Sequence, residues 1–485
     1  MKSIQENCGV FGIYSSRGCV YDIYRGIDFL QHRGQEYCGI STYKHEIDRV
    51  KQIDFLTERR DEFDSDYSFG KEINHVTHHG KVIDTFTDEE LRSLKGTWGI
   101  GHVSLWERQP MKWQTHLGEI AVAFSGNVIN ADELMKEMMD RGKSYYKSYD
   151  IETISKVIIE EPDIVAGIKA LAQKIKGAYS LVVLAKDGVY AARDKYGFRP
   201  LMLGKDKDRY IACSESRAIQ NLGMETVRDV MPGEIVLINA GGFHTVGKVD
   251  SARKAHCAFE WAYTASIDSL IDGIYVQEAR NNMGGELARR DMEEGPVDAD
   301  IVAPVPLSGI GHALGYHRRS GINYQEVFLY HRYADRSYMQ ASQVAREKMA
   351  KRKLSILPYA VKGKKIIICD DSIVRGTQIL NKVRDLKNAG AKEVHVRVSC
   401  PPLMYPCDFG ISTRTYDELI ARHFFKSGDI TSLEKQKEFE AWIANRIAAD
   451  SVKFNTLSAF VSALKVPKQD LCLRCFDGVN PLDDW

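Results

Sequence analysis

Ile366-Ile367-Ile368-Cys369-Asp370-Asp371-Ser372-Ile373-Val374-Arg375-Gly376-Thr377 decides how the second half of this chain folds. Four apolar residues in a row, with no alternation, read as a strand buried on both faces, the habit of a parallel sheet covered by helices. An acidic pair ends the strand, a short loop holds one glycine, and a helix is expected from Gln378 to Ala389, followed by a strand from Glu393 to Ser399. A strand followed by an acidic turn is common among α/β proteins of every kind, so the full stretch carries the reading rather than the pair alone.

In such sheets ligands bind beyond the carboxyl ends of the strands. Backbone N–H groups of Ser372 to Thr377 would meet a phosphate at the positive end of the following helix. Gly376 lets the backbone approach without a side chain in the way. Asp370 and Asp371 would face sugar hydroxyls, directly or through Mg²⁺, an ion that favours oxygen ligands.

Upstream, the same alternation continues. Val276 to Glu294 is expected as an amphipathic helix, Ile301 to Val305 as a strand, and Gly311 to Arg319 as a helix. Pro304-Val305-Pro306-Leu307-Ser308-Gly309 joins the last two and is placed to hold a second phosphate group. A basic segment follows from His331 to Lys353; alone, such a charge run reads as a solvated helix face. The tail after Arg422 is expected to be helical and polar, and it closes on Cys472-Leu473-Arg474-Cys475.

The first half has a different texture. Short β-type runs broken by glycine (9 to 14, 99 to 103, 120 to 124, 180 to 184, 210 to 213, 234 to 237) alternate with helical stretches at 20 to 32, 132 to 141 and 150 to 160. Many short strands with a few helices predict an α+β sandwich, with the change to α/β character near 240 to 256.

The chain has 485 residues, enough for two or three domains. Sixty-six basic residues balance 66 acidic ones, which argues against a protein built to hold a nucleic-acid backbone. No apolar run approaches the roughly 20 residues needed to cross a bilayer, and Met1 to Asn7 lacks the apolar centre of a signal peptide. A cytoplasmic protein is expected, with its ten cysteines free or metal-bound rather than paired as disulfides.

Cys8-Gly9-Val10-Phe11-Gly12 follows a seven-residue polar leader. With the leader removed, the Cys8 thiol would have a free α-amine beside it, whose ordinary pKa near 8 suits a general base. A lone cysteine near a terminus is more often a buried small hydrophobe. Its neighbours add to the case: Leu30-Gln31-His32-Arg33-Gly34-Gln35-Glu36, Asp194-Lys195-Tyr196-Gly197-Phe198-Arg199-Pro200, Ser214-Glu215-Ser216 and Pro232-Gly233-Glu234 resemble the glutaminase half of the class II amidotransferases.

The 366–377 stretch closely resembles the signature of type I phosphoribosyltransferases. The two halves together resemble one family, the glutamine phosphoribosylpyrophosphate amidotransferases, over nearly the whole chain and in the same domain order. The resemblance implies a leader (1–7), an amino-terminal nucleophile (Ntn) domain with an α-β-β-α sandwich (8–245), and a type I phosphoribosyltransferase parallel-sheet domain with a cluster-binding tail (246–485). It implies that Cys8 attacks the glutamine amide, with Arg33, Gly126, Asn127 and Asp150 holding glutamine. The released ammonia would displace pyrophosphate from phosphoribosyl pyrophosphate, giving phosphoribosylamine for purine (IMP) synthesis.

For the second site it implies contacts from Asp370, Asp371, Ser372, Arg375, Gly376, Thr377, Arg332 and Lys353, with Ser308, Asp370 and Asp371 at Mg²⁺. Cys257, Cys407, Cys472 and Cys475 match positions that hold a [4Fe–4S] cluster in one branch of the family; four thiolates by themselves suit zinc as well. Homo-oligomers and feedback by purine nucleotides follow as further expectations, with no nucleic-acid or membrane partner.

Three departures stand out. Ser104 occupies the position of a family arginine that clamps the glutamine carboxylate, and Ser125 that of an oxyanion-hole asparagine. Leu307 stands where many members carry an acidic residue. Arg108 offers a guanidinium from a different loop position. These changes leave two alternatives: an ammonia-dependent aminotransferase with a silent glutaminase domain, and a non-catalytic phosphoribosyl pyrophosphate sensor.

Overall fold

The computed structural model describes residues 8–43, 66–69, 72–330, 354–411, 413, 415–425 and 432–482. The leader and the basic segment with Arg332 and Lys353 lie outside the described residues.

Two antiparallel sheets stack in the first half. One has eight strands in the order 225–229, 202–205, 209–213, 9–15, 98–104, 37–43, 73–79, 66–69; the other has six, in the order 242–248, 234–239, 188–193, 177–185, 118–128, 111–115. Between them lies a core of small and branched residues from both sheets, among them Val10, Ile100, Ala121, Ala123, Val182 and Ala191. Helix Val20–Phe29 covers the outer face of the first sheet, and helices Ala131–Asp140, Asp150–Ile159 and Ile164–Lys174 cover the second. The layers are therefore helix, sheet, sheet, helix, as expected for the sandwich. Strand Gly242–Lys248 pairs along Glu234–Asn239, so residues 246 to 248 go with this sheet.

Burial here also constrains histidines. His75 and His102 in the first half, and His312 in the second, are buried, and burial pushes each down to about 3. His102 bonds its Nε2 to the Phe124 carbonyl at 3.0 Å, tying one sheet to the other beside Ser125. These rings are neutral in the fold, whereas in the unfolded chain they take up protons near their ordinary pKa of about 6.5. Because the unfolded state binds more protons below that value, stability is present above it and lost as pH falls from about 6.5 toward 3. Thermal unfolding followed by circular dichroism is expected to show the midpoint dropping across that interval.

The second half holds five parallel strands in the order 323–324, 301–304, 365–370, 393–398, 451–454. Ile366 and Ile368 face one helical layer, and Ile367 and Cys369 the other, which is why that run carries no polar residue. Helices Val276–Glu294 and Ile310–Ser320 cross closely on one face. A Cβ at Gly284 would stand 1.8 Å from the His312 carbonyl oxygen, and one at Gly315 1.8 Å from that of Asn281, so only glycine permits the approach.

The tail departs from the helical expectation: between helices Leu433–Ile447 and Leu457–Leu464, strand Ser451–Phe454 completes the sheet. Alternating Val452 and Phe454 are buried there, but four residues are too short a run to separate from helix by periodicity.

Candidate active sites

Two loops at the carboxyl edge of the parallel sheet converge. The 365–370 strand delivers Asp370 and Asp371, both buried. From the neighbouring strand comes Ser308, whose Oγ donates to Asp370 Oδ1 at 3.0 Å. Asp371 N–H donates to the same oxygen at 3.0 Å, and Ser372 Oγ donates to Asp371 Oδ2 at 2.6 Å. The carbonyls of Asp370 and Asp371 accept from Ser399 N–H (3.0 Å) and Cys400 N–H (2.8 Å), which fixes the pair to the next strand.

Burial, with the Asp371 charge second, pushes the Asp370 carboxyl up to about 8. Two buried carboxylates side by side repel, and a cation between or beside them would relieve that repulsion. Gly376 sits at φ 80° ahead of helix Thr377–Asn388, a left-handed turn that glycine adopts without strain. Its Cβ position is closed by Ile420 Cδ1 at 2.5 Å, so the loop backbone is packed from behind. Arg375 reaches outward to Glu418 at 2.6 Å, and Leu307, at φ 70° and largely exposed, places an apolar side chain at the rim.

In the first half, Cys8 leads directly into strand Gly9–Ser15 and is buried. Ser125 Oγ donates to the Cys8 carbonyl at 2.6 Å, so the side chain that replaces the family asparagine is spent on the backbone. Gly126 lies beside it at φ 155°, and a Cβ there would come within 1.9 Å of the Ala178 oxygen. Asn127 Nδ2 donates to the Asp408 carbonyl at 2.8 Å, a contact from the second half of the chain. Asp150 starts helix Asp150–Ile159 and accepts from Val128 N–H at 3.1 Å.

Arg33, expected to hold glutamine, is engaged otherwise. Its guanidinium pairs with Glu215 and with Glu260, the latter at 2.7 Å, and all three side chains are buried. Arg199 pairs with the same Glu260 at 2.6 Å and also donates to the Gly410 carbonyl. Breaking one member of such a buried pair typically costs about 3–5 kcal/mol, so this network fixes the two halves to each other beside Cys8. Glu260 opens the π-helical turn Glu260–Thr264, a geometry concentrated at functional sites. Arg108 stacks its guanidinium over the Tyr37 ring, 5.8 Å from the centroid.

Sequence reasoning missed Glu107 altogether. It is buried, with Oε1 accepting from Asp150 N–H at 2.7 Å and Oε2 from Ile151 N–H at 3.4 Å. Ser104 Oγ donates to its carbonyl at 2.5 Å and Gln109 Nε2 to its Oε2 at 3.2 Å, so the turn after Ser104 folds its acid inward. Nothing in a single glutamate among loop residues marks it as buried.

The expected cluster cysteines lie in or against one apolar core. Cys257 lies opposite Cys472 in a short parallel pairing of His256–Cys257 with Leu471–Cys472. Cys407 and Cys475 join the same apolar core, lined by Phe259, Trp261 and Phe476. Among the described residues no three His, Cys, Asp or Glu side chains stand close enough to hold a single metal ion. Cys400 is buried in this core as well, its N–H donating to the Asp371 carbonyl.

An Ntn sandwich and a phosphoribosyltransferase sheet in one chain define a two-site nitrogen-transfer enzyme. Residues 102–221 match the family described as glutamine amidotransferase domain. The amidophosphoribosyltransferase of Methanothermobacter thermautotrophicus is 36% identical over 99% of this chain and 95% of its own length, and that of Methanocaldococcus jannaschii is 35% identical over 98% of each. The solved glutamine phosphoribosylpyrophosphate amidotransferase of Bacillus subtilis, in complex with ADP and GMP, is 32% identical with a TM-score of 0.83, covering 98% of this chain and 97% of that one. The chain belongs to the amidophosphoribosyltransferase family.

Proposed function

We propose that the chain makes 5-phosphoribosylamine from phosphoribosyl pyrophosphate and ammonia released from glutamine, the first step of purine synthesis. The observation that carries the reading is the buried Asp370–Asp371 pair, bridged to Ser308 at the sheet edge, in a chain related to this family over its full length.

At the second site, Asp370, Asp371 and Ser308 form an oxygen-only donor set suited to Mg²⁺, which would offset pyrophosphate charge. The 372–377 loop holds the 5-phosphate on its N–H groups, with Ser372 and Thr377 hydroxyls and Arg375 around it; Arg332 and Lys353 belong to the same binding set. Ammonia attacks the ribose C1, the C1–O bond to pyrophosphate breaks, and the amine sheds a proton.

At the first site, removal of residues 1–7 frees the Cys8 α-amine, which takes the thiol proton and passes it to the leaving ammonia as Sγ attacks the amide carbon. Water then releases glutamate from the thioester. Gly126 N–H faces the oxyanion, while Asn127 and Asp150 orient the substrate. Division of the chain after the Gly242–Lys248 strand, into residues 8–248 and 249–485, assigns one half-reaction to each part.

Cys257, Cys407 and Cys472 supply three buried thiols and Cys475 a half-buried one at the same apolar core, a donor set that suits a four-iron cluster. Such a cluster would pin the chain's tail to the start of the second half. Nucleotide feedback is supported by the ADP and GMP bound in the B. subtilis relative, and homo-oligomerisation by family membership.

A second reading, in which ammonium is taken directly, is favoured by one observation: Glu107 places a carboxylate beside Cys8. Full-length kinship with proteins named as transferases favours either enzyme over a sensor. Anaerobic protein is expected to release pyrophosphate from phosphoribosyl pyrophosphate and Mg²⁺ with glutamine or ammonium chloride, and to contain iron and acid-labile sulfide. No pyrophosphate with either nitrogen source would refute the reading, and protein carrying zinc in place of iron would refute the cluster.

A further inference from the structure

The amide of a nitrogen donor must lie against Cys8 Sγ, with its amino-acid end a few atoms away. Glu107, whose charge acts on Cys8, lies at the N-terminus of helix Asp150–Ile159, and free backbone N–H groups at a helix start favour an anion. That end is already filled. Glu107 caps Asp150 N–H at 2.7 Å and Ile151 N–H at 3.4 Å, and Ser104 and Gln109 hold it in place. An incoming α-carboxylate therefore meets a buried carboxylate where it needs a cation.

We propose that Glu107 sets the nitrogen-donor preference of the enzyme: by filling the anion-binding end of the 150–159 helix with the chain's own carboxylate, it weakens the hold on α-amino-acid donors such as glutamine relative to free ammonia. This rests on the reading that Cys8 handles an amide donor.

The surroundings of Cys8 agree. Burial first, and the Glu107 charge second, push the thiol up to about 12, against Arg199, Arg33 and a hydrogen bond with the Leu105 backbone. Both guanidiniums are turned toward Glu260 and so are partly neutralised at the thiol. Asp150 adds a second buried carboxylate nearby, and Ser104 itself carries no charge for an α-carboxylate. A buried carboxylate at the helix end, with the two nearby arginines turned to Glu260, is a poor host for the α-carboxylate of an amino-acid donor.

The test compares glutamine affinity by calorimetry in full-length protein carrying Cys8→Ser, to prevent turnover, with the same protein carrying Glu107→Gln or Glu107→Ala in addition. Glutamine is expected to bind at least about tenfold tighter in both, as expected for removing one like charge from a low-dielectric site. Equal or weaker binding in two folded variants, or no measurable binding in any of the three, would overturn the proposal. Pyrophosphate release with ammonium, measured on the same preparations, reports the transferase reading separately. Its loss in the parent protein would sink that reading while the affinity comparison still decides Glu107.

Discussion

Cys8→Ser is expected to lower glutamine-supported pyrophosphate release by about a thousandfold or more, while ammonium-supported release persists. Removing a nucleophile typically costs at least that much, because nothing else in the pocket can form the covalent intermediate. Ammonium bypasses the step, since it needs only the Asp370–Asp371 site. The residual glutamine rate measures how far the pocket works without its thiol. Ser125 gives its hydroxyl to the Cys8 carbonyl and Arg33 gives its charge to Glu215 and Glu260, so little is left to act on the amide. Parallel assays with the two nitrogen sources check the result. If both rates fall together, Cys8 is structural; if neither falls, glutamine enters by another route.

Much of this arrangement was legible before any coordinates. The run Ile366 to Thr377 fixed a strand, a turn and a helix in order, because burial on both faces demands unbroken apolar residues and the glycine can only mark the tight turn. Helix 276–294 emerged with the same ends, and the 9–15 and 98–104 strands within a residue or two, since each is apolar and bounded by turn residues. Strands 37–43 and 73–79 were missed because His, Thr, Ser and Tyr are frequent in them, and 188–193 because its Gly and Ala residues carry little strand preference; pairing between neighbours makes all three strands.

At the sites, residues that act through backbone or motif position were visible. Those that act through distant partners were not. The partners of Arg33 were not visible because a motif records which residue is present, not which carboxylates 182 and 227 positions away pair with it. Glu107 gave no signal for the same reason: it owes its place to a chain segment brought beside it only by the fold.

Asp371→Asn is expected to lower kcat/KM for phosphoribosyl pyrophosphate by about 10²- to 10³-fold with either nitrogen source, and at the same time to raise the thermal midpoint of the ligand-free protein. The two effects have one cause. Asp370 and Asp371 are buried side by side, and their mutual repulsion helps hold Asp370 up near 8. A neutral amide removes that repulsion without removing bulk, and Ser372 Oγ can still donate to its oxygen. Stability of about 1 kcal/mol should be recovered, as when strained functional sites are relaxed. The same charge is what a Mg²⁺–pyrophosphate group and the ribose hydroxyls require, and losing charge-assisted bonds worth about 3–4 kcal/mol accounts for the fall in rate. Because the site lies downstream of both donors, glutamine- and ammonium-supported rates should drop in equal proportion, unlike the split expected for Cys8. A variant that lost activity with glutamine alone would place Asp371 in communication between the sites instead of at the sugar, and one that lost stability would show that the acidic pair holds the sheet edge together.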